Sequence, residues 1–135
     1  MSKKLKVVSK TKTVVAKKKL KDHISKPVCI SKSHQFTPTE SVAWYWWHVI
    51  NKAAFNNSLP YPIIAIKNLR GAWGNCNGKT INISTNITNR KFFIATVAHE
   101  MVHQWQFHYG AGKLNHGNVF RDWDVYFRKN FGIIL

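Results

Sequence analysis

His99-Glu100-Met101-Val102-His103, set inside the run from Arg90 to Tyr109, is the stretch that decides how this chain folds. Residues 90–109 contain no Gly or Pro, and Phe92, Phe93, Val97, Val102 and Phe107 supply the apolar content of a buried helix. Asn89 or Thr88 can cap its start, and Gly110 can end it. Residues four apart on a helix share a face, so His99 and His103 can offer two imidazole nitrogens to one metal ion. A His-Glu-His cluster within an apolar stretch needs a reason for its burial, because polar groups shut away from water without partners are costly. A metal supplies that reason, and zinc is the natural occupant. It takes nitrogen ligands at about 2.0–2.1 Å, and a catalytic site uses three protein ligands, leaving the fourth position to water.

The best candidate for the third ligand is His116, thirteen residues past His103 and followed by Gly117. His108 lies only five residues past His103, and a helix places it on a different face. Glu100, beside the first ligand, is the expected general base. His48 falls in another predicted helix with no partner spacing and is read as an ordinary helix residue.

Upstream, Thr37-Pro38-Thr39-Glu40 reads as a helix start with Thr37 capping, Pro38 in the first turn and Glu40 three residues after the cap. Val42, Trp46, Val49, Ile50 and Ala53 continue at helical spacing to Phe55. Asn56-Asn57-Ser58 and Pro60-Tyr61-Pro62 turn the chain into a short strand at Ile63–Ile66. Residues 72–76 and 80–84 form two strands joined across Asn77-Gly78-Lys79, since Asn-Gly is a strong hairpin signal. An exposed edge of this sheet can pair with an extended peptide. Which strand forms the edge stays open, and Trp73 and Asn75 serve equally well as groove or as sheet packing. Past His116, Val119, Phe120, Trp123, Val125, Tyr126 and Phe127 predict a closing helix against the metal helix. Asp122 or Asp124 can hold a ligand histidine, although pairing with Arg121 or Arg128 is the preferred reading. Tyr109 and Tyr126 are both candidates to steady an oxyanion, with neither assigned. The fold class is therefore α+β: a small antiparallel or mixed sheet packed on the metal helix, with two further helices.

At 135 residues, with six Trp, eight Phe and four Tyr, the chain has material for one core. No run of about 18 apolar residues predicts a membrane span, and the basic start lacks a secretory signal's apolar stretch and cleavage site. An intracellular, non-secreted protein is expected, in the cytoplasm or nucleoid, or in the nucleus of a eukaryotic host. Cys29 and Cys76 are isolated, and a disulfide between them is not expected in a reducing compartment.

The formal charge of +16 is uneven, with net +10 in residues 1–32 and +6 in the remainder. Residues 1–36 are read as a disordered basic arm, and 37–135 as the folded domain. The arm's lysines Lys3, Lys4, Lys6, Lys10, Lys12, Lys17, Lys18, Lys19 and Lys21 are expected to hold DNA without regard to sequence, through counterion release. Nothing in the arm resembles a base-reading helix. Lys17-Lys18-Lys19-Leu20-Lys21 also passes as a nuclear localisation signal.

Four pieces in order make the chain resemble the SprT-like zinc metallopeptidases, which include the Spartan DNA–protein crosslink proteases. These are Phe55-Asn56-Asn57-Ser58-Leu59-Pro60, Ile81-Asn82-Ile83-Ser84, His99-Glu100-Met101-Val102-His103, and His116-Gly117 leading to Phe120. The resemblance covers about residues 39–130. Metzincins would carry Gly at 106 and His at 109, where this chain has Gln106 and Tyr109. The resemblance implies a minimal zincin-like α+β protease fold, zinc held by His99, His103 and His116, and Glu100 as acid/base in peptide hydrolysis. It also implies protein substrates attached to DNA. The cysteine-rich zinc module of many longer members is absent from the chain, and the preceding basic arm can stand in for it. The expectation is a monomeric zinc endopeptidase. The alternative is a non-catalytic, zinc-stabilised nucleic-acid-binding protein, and Glu100 separates the two, because a structural site has no need of a carboxylate beside an open position.

Overall fold

The computed structural model describes residues 36–110 and 112–135, together with Lys17 and Leu20. Among these residues the fold is α+β, with helices α1 (Glu40–Ala54), α2 (Arg90–Tyr109) and α3 (Asn118–Phe131) and strands β1 (Ile63–Lys67), β2 (Gly74–Cys76) and β3 (Thr80–Ser84). The strands form one mixed sheet in the order β1-β3-β2, β1 running parallel and β2 antiparallel to β3. Among the described residues, β1 and β2 are the edges of this sheet. The alternation of β3 buries Ile81 and Ile83, which turn toward the helices.

α2 is the spine of the domain. Asn89 is its cap, the side-chain oxygen accepting from Phe92 N at 3.0 Å, and Gly110 ends it, both as expected. Its buried residues include Phe93, Ile94, Val97, Ala98, Met101 and Val102, but also Thr96, Glu100, His103, Gln104 and Gln106. A helix packed by α1, the sheet and α3 has little solvent face, so polar groups must find internal partners. Gln104 does so by accepting from Trp47 Nε1 at 3.1 Å and donating to the Pro60 carbonyl at 2.6 Å, which joins α1 and its following loop to α2.

The cap of α1 differs from expectation. Thr39, not Thr37, accepts from Val42 N, and Pro38 is buried ahead of the helix instead of entering its first turn. Glu40 thus stands at the first helical position, where its charge complements the helix dipole. After α1 the chain reverses through Asn56 and Asn57, both left-handed, a conformation asparagine tolerates better than most residues.

Within the basic stretch, Lys17 and Leu20 are helical, and Leu20 is 0% exposed and belongs to the core cluster. At Leu20 the expected arm is packed. The remaining lysines assigned to DNA (Lys3, Lys4, Lys6, Lys10, Lys12, Lys18, Lys19 and Lys21) and Cys29 lie outside the described residues. No described helix is long and apolar enough to cross a membrane.

Candidate active site

His99 and His103 stand one turn apart on α2, their ring centroids 5.1 Å apart, and His116 reaches them from the loop ahead of α3. His116 Nε2 is 3.1 Å from Nε2 of both partners, and one nitrogen from each of the three rings lies within 4.8 Å of the others. Ligand nitrogens around a tetrahedral zinc with bonds of about 2.0–2.1 Å are about 3.3 Å apart, so three histidines so arranged can hold such an ion. Burial, reinforced by the neighbouring His103 and His116, pushes His99 down to about 4. His103 is also lowered, chiefly by burial, against the opposing effect of the hydrogen bond it donates to Gln106. Both rings are therefore neutral near pH 7, the state a metal ligand requires.

One buried amide organises two of these ligands. Gln106 Oε1 lies 2.7 Å from His103 Nδ1, and since the oxygen can only accept, Nδ1 carries the proton and Nε2 keeps its lone pair for the cluster. The same amide donates to the Asn115 carbonyl at 2.9 Å and accepts from Asn115 N at 3.3 Å, fixing the loop that carries His116. Phe120, in the first turn of α3, lays its ring against all three imidazoles at centroid distances of 4.7, 5.1 and 4.7 Å for His99, His103 and His116. It closes the apolar side of the cluster.

Glu100 is 4% exposed, and burial pushes its carboxyl up to about 7. Its Oε2 is buried without a hydrogen-bond partner. The carboxylate lies against β2, where a Cβ on Gly74 would come within 3.1 Å of Glu100 Cγ and Oε1 and of the Asn82 carbonyl. Glycine at 74 permits that approach. An orphaned carboxylate oxygen beside convergent imidazole nitrogens fits a site built around a cation and water, so the residues present suit the zinc that the motif implies.

A cleft of about 280 Å³ opens on this group, lined by Trp73, Gly74, Phe92, Thr96, His99 and Glu100, with Ile134 and Leu135 closing one side. Trp73 O accepts from Ser84 N and Asn77 N donates to Thr80 O. In an antiparallel ladder this alternation turns the backbone groups of Gly74 and Cys76 toward the unpaired edge. A larger cleft, about 410 Å³, lies between α1 and the Asn57–Tyr61 loop and contains none of these groups.

The other candidates have different duties. His108 faces the hairpin, its Nε2 3.1 Å from the Gly78 carbonyl, and His48 packs against Trp44, Trp47 and Tyr61. Tyr109 donates to the Ser58 carbonyl at 2.6 Å, and Tyr126 makes edge contacts with Trp123, Phe127 and Phe131, so neither ring belongs to the cluster. Asp124 pairs with Arg128, the preferred reading, and its charge also acts on His99, while Asp122 is exposed. Asn75 accepts from Asn82 across the strands at 2.7 Å, and Cys76, its thiol pushed up to about 11 by burial, is no nucleophile. Sequence reasoning missed Gln106 and Gly74. The first was detectable, three residues past His103 on the same face; the second depends on tertiary approach alone.

No curated protein and no solved structure matches the chain. A family model, SprT-like family, matches residues 44–130, well over half of the chain and all of the metal cluster. The chain belongs to the SprT-like family.

Proposed function

We propose that this protein is a zinc-dependent endopeptidase in which His99, His103 and His116 hold the metal and Glu100 moves the proton. The observation that carries this reading is the convergence of three ring nitrogens next to Glu100, whose buried oxygen has no partner and which lines one cleft together with His99. Zinc bound there would supply the Lewis acidity that makes water a nucleophile near neutral pH and polarises a carbonyl. Glu100 accepts the proton of the attacking water at its free oxygen and returns it to the departing amine as the C–N bond breaks. The β2 edge, with Gly74 against Glu100, offers backbone groups to an extended substrate and aligns its carbonyl with the cluster. Phe120 covers one side of the three rings, while His116 stays open to solvent.

The substrates are proteins attached to DNA, and the lysine-rich stretch provides sequence-independent attachment to the polyanion; net +10 over residues 1–32 supports this. A purely structural zinc is disfavoured by chemistry, since closed sites use four protein ligands and have no use for an orphaned carboxylate. The test is metal analysis with a proteolysis assay on a DNA-bound protein. Glu100→Gln is expected to retain one zinc per chain while cleavage falls about 10²–10⁴-fold. Undiminished cleavage by that variant rejects the mechanism.

A further inference from the structure

Beyond α3 the chain adds Ile133 to the core and then runs along the rim of the cleft. Gly132 adopts a left-handed conformation (φ 69°), its N–H donating to Arg128 O and that of Ile133 to Phe127 O, a helix stop that turns the backbone sharply. Ile133 is buried as the apolar anchor of that turn, and Leu135 N then donates to Asp124 Oδ1 at 3.0 Å. Asp124 is itself held by the Arg128 guanidinium at 3.2 Å. The strap is thus fixed on both sides of Ile134, yet Ile134 is 62% exposed and, with Leu135, faces the cleft beside Glu100. Opposite stand Phe92 and Trp73, 41% and 53% exposed, their rings in edge contact at 5.3 Å.

Four apolar side chains from three separated parts of the chain therefore surround one cavity next to the proposed general base. Exposed apolar groups gathered in this way mark a binding surface. Apart from His99 and Glu100, both occupied by the chemistry, the described side chains lining the cavity carry no charge, so an acidic side chain entering it would lose water without gaining a cationic partner.

We infer that this cavity is a subsite for a bulky apolar side chain adjacent to the bond that is cut, with Ile134 and Leu135 as its selective wall and Asp124 as the residue that positions that wall. The inference rests on the peptidase reading and adds to it a class of substrate residue. Peptides identical except for Leu, Phe, Gly or Glu at one position flanking the scissile bond test it. Leu and Phe are expected to exceed Gly and Glu by at least about tenfold in kcat/KM, the size of effect an apolar pocket gives. Ile134→Ala combined with Leu135→Ala lowers kcat/KM on the Leu peptide several-fold more than on the Gly peptide. Asp124→Ala compresses the same ratio, and Asp124→Asn, which keeps an acceptor for Leu135 N, restores it. Calorimetric affinities of the same peptides for the Glu100→Gln protein should follow the same ranking. Equal kcat/KM across the series, or variants that lower all peptides alike, overturn the subsite. Should zinc-loaded enzyme cleave none of them, the peptidase reading fails, and the calorimetric ranking still decides whether the cavity selects apolar side chains.

Discussion

At Glu100 two demands meet: the carboxyl must be available to a proton and it must be buried. In metal-free protein only the cost of burial remains. A carboxyl held near 7 in the folded chain, and near 4.5 when unfolded, subtracts stability as pH rises through that interval, by about 3 kcal/mol once both values are passed. The histidines act in the opposite sense, because their depressed values remove stability as pH falls below about 6.5. Comparison with Glu100→Gln isolates the carboxyl: in urea unfolding of the stripped proteins, the variant's advantage should be small at pH 4.5 and reach its maximum above pH 7. An advantage independent of pH would show that Glu100 is not titrating there. Gln106→Ala should weaken zinc binding about 10–100-fold in chelator competition, since it frees His103 Nδ1 and the Asn115 backbone at once. The approach of His99 and His103 was legible because residues four apart share one helix face, and Glu100 was picked out by standing next to the first of them. Gly74, Ile134 and Leu135 were not, because each acts across a contact between chain segments that no local pattern records.

Among the elements, the hairpin turn has the narrowest tolerance. Gly78 has φ 96°, and a Cβ there would overlap the ring of Phe107 on the last turns of α2. His108 secures the same turn through the Gly78 carbonyl. Gly78→Ala is therefore expected to cost about 2 kcal/mol or more, from both the backbone conformation and the overlap. Phe107→Ala in the same chain should recover the steric part only, and strictly additive losses in thermal unfolding would refute the coupling. The Asn-Gly pair announced this turn in the sequence, and residue types announced both ends of α2. The order β1-β3-β2 was not readable, for parallel pairing of β1 with β3 is a long-range choice. The cap of α1 shifted from Thr37 to Thr39 for a related reason: either threonine can cap, and burial of Pro38 selects between them.

For the molecule as a whole, composition drew the domain boundary at residue 37 and so passed over Leu20, whose contribution to the core depends on partners far along the chain. Leu20→Ala is expected to destabilise the domain by about 2–5 kcal/mol, measured by urea unfolding. Attachment to DNA is accordingly best tested by replacing arm lysines with glutamine while keeping Leu20. The slope of log affinity against log salt should fall by about 0.9 for each duplex phosphate that is no longer neutralised, with zinc content unchanged. An unaltered slope would rule out attachment through those lysines. The brevity of β2 bears on what such an enzyme can cut. Three residues of edge extend only about 10 Å and offer a handful of backbone hydrogen bonds, too few to pull a segment out of a stable fold. Cleavage should then follow how often a stretch of the target is already slack, its rate set by the target's own local opening equilibrium and only secondarily by its sequence.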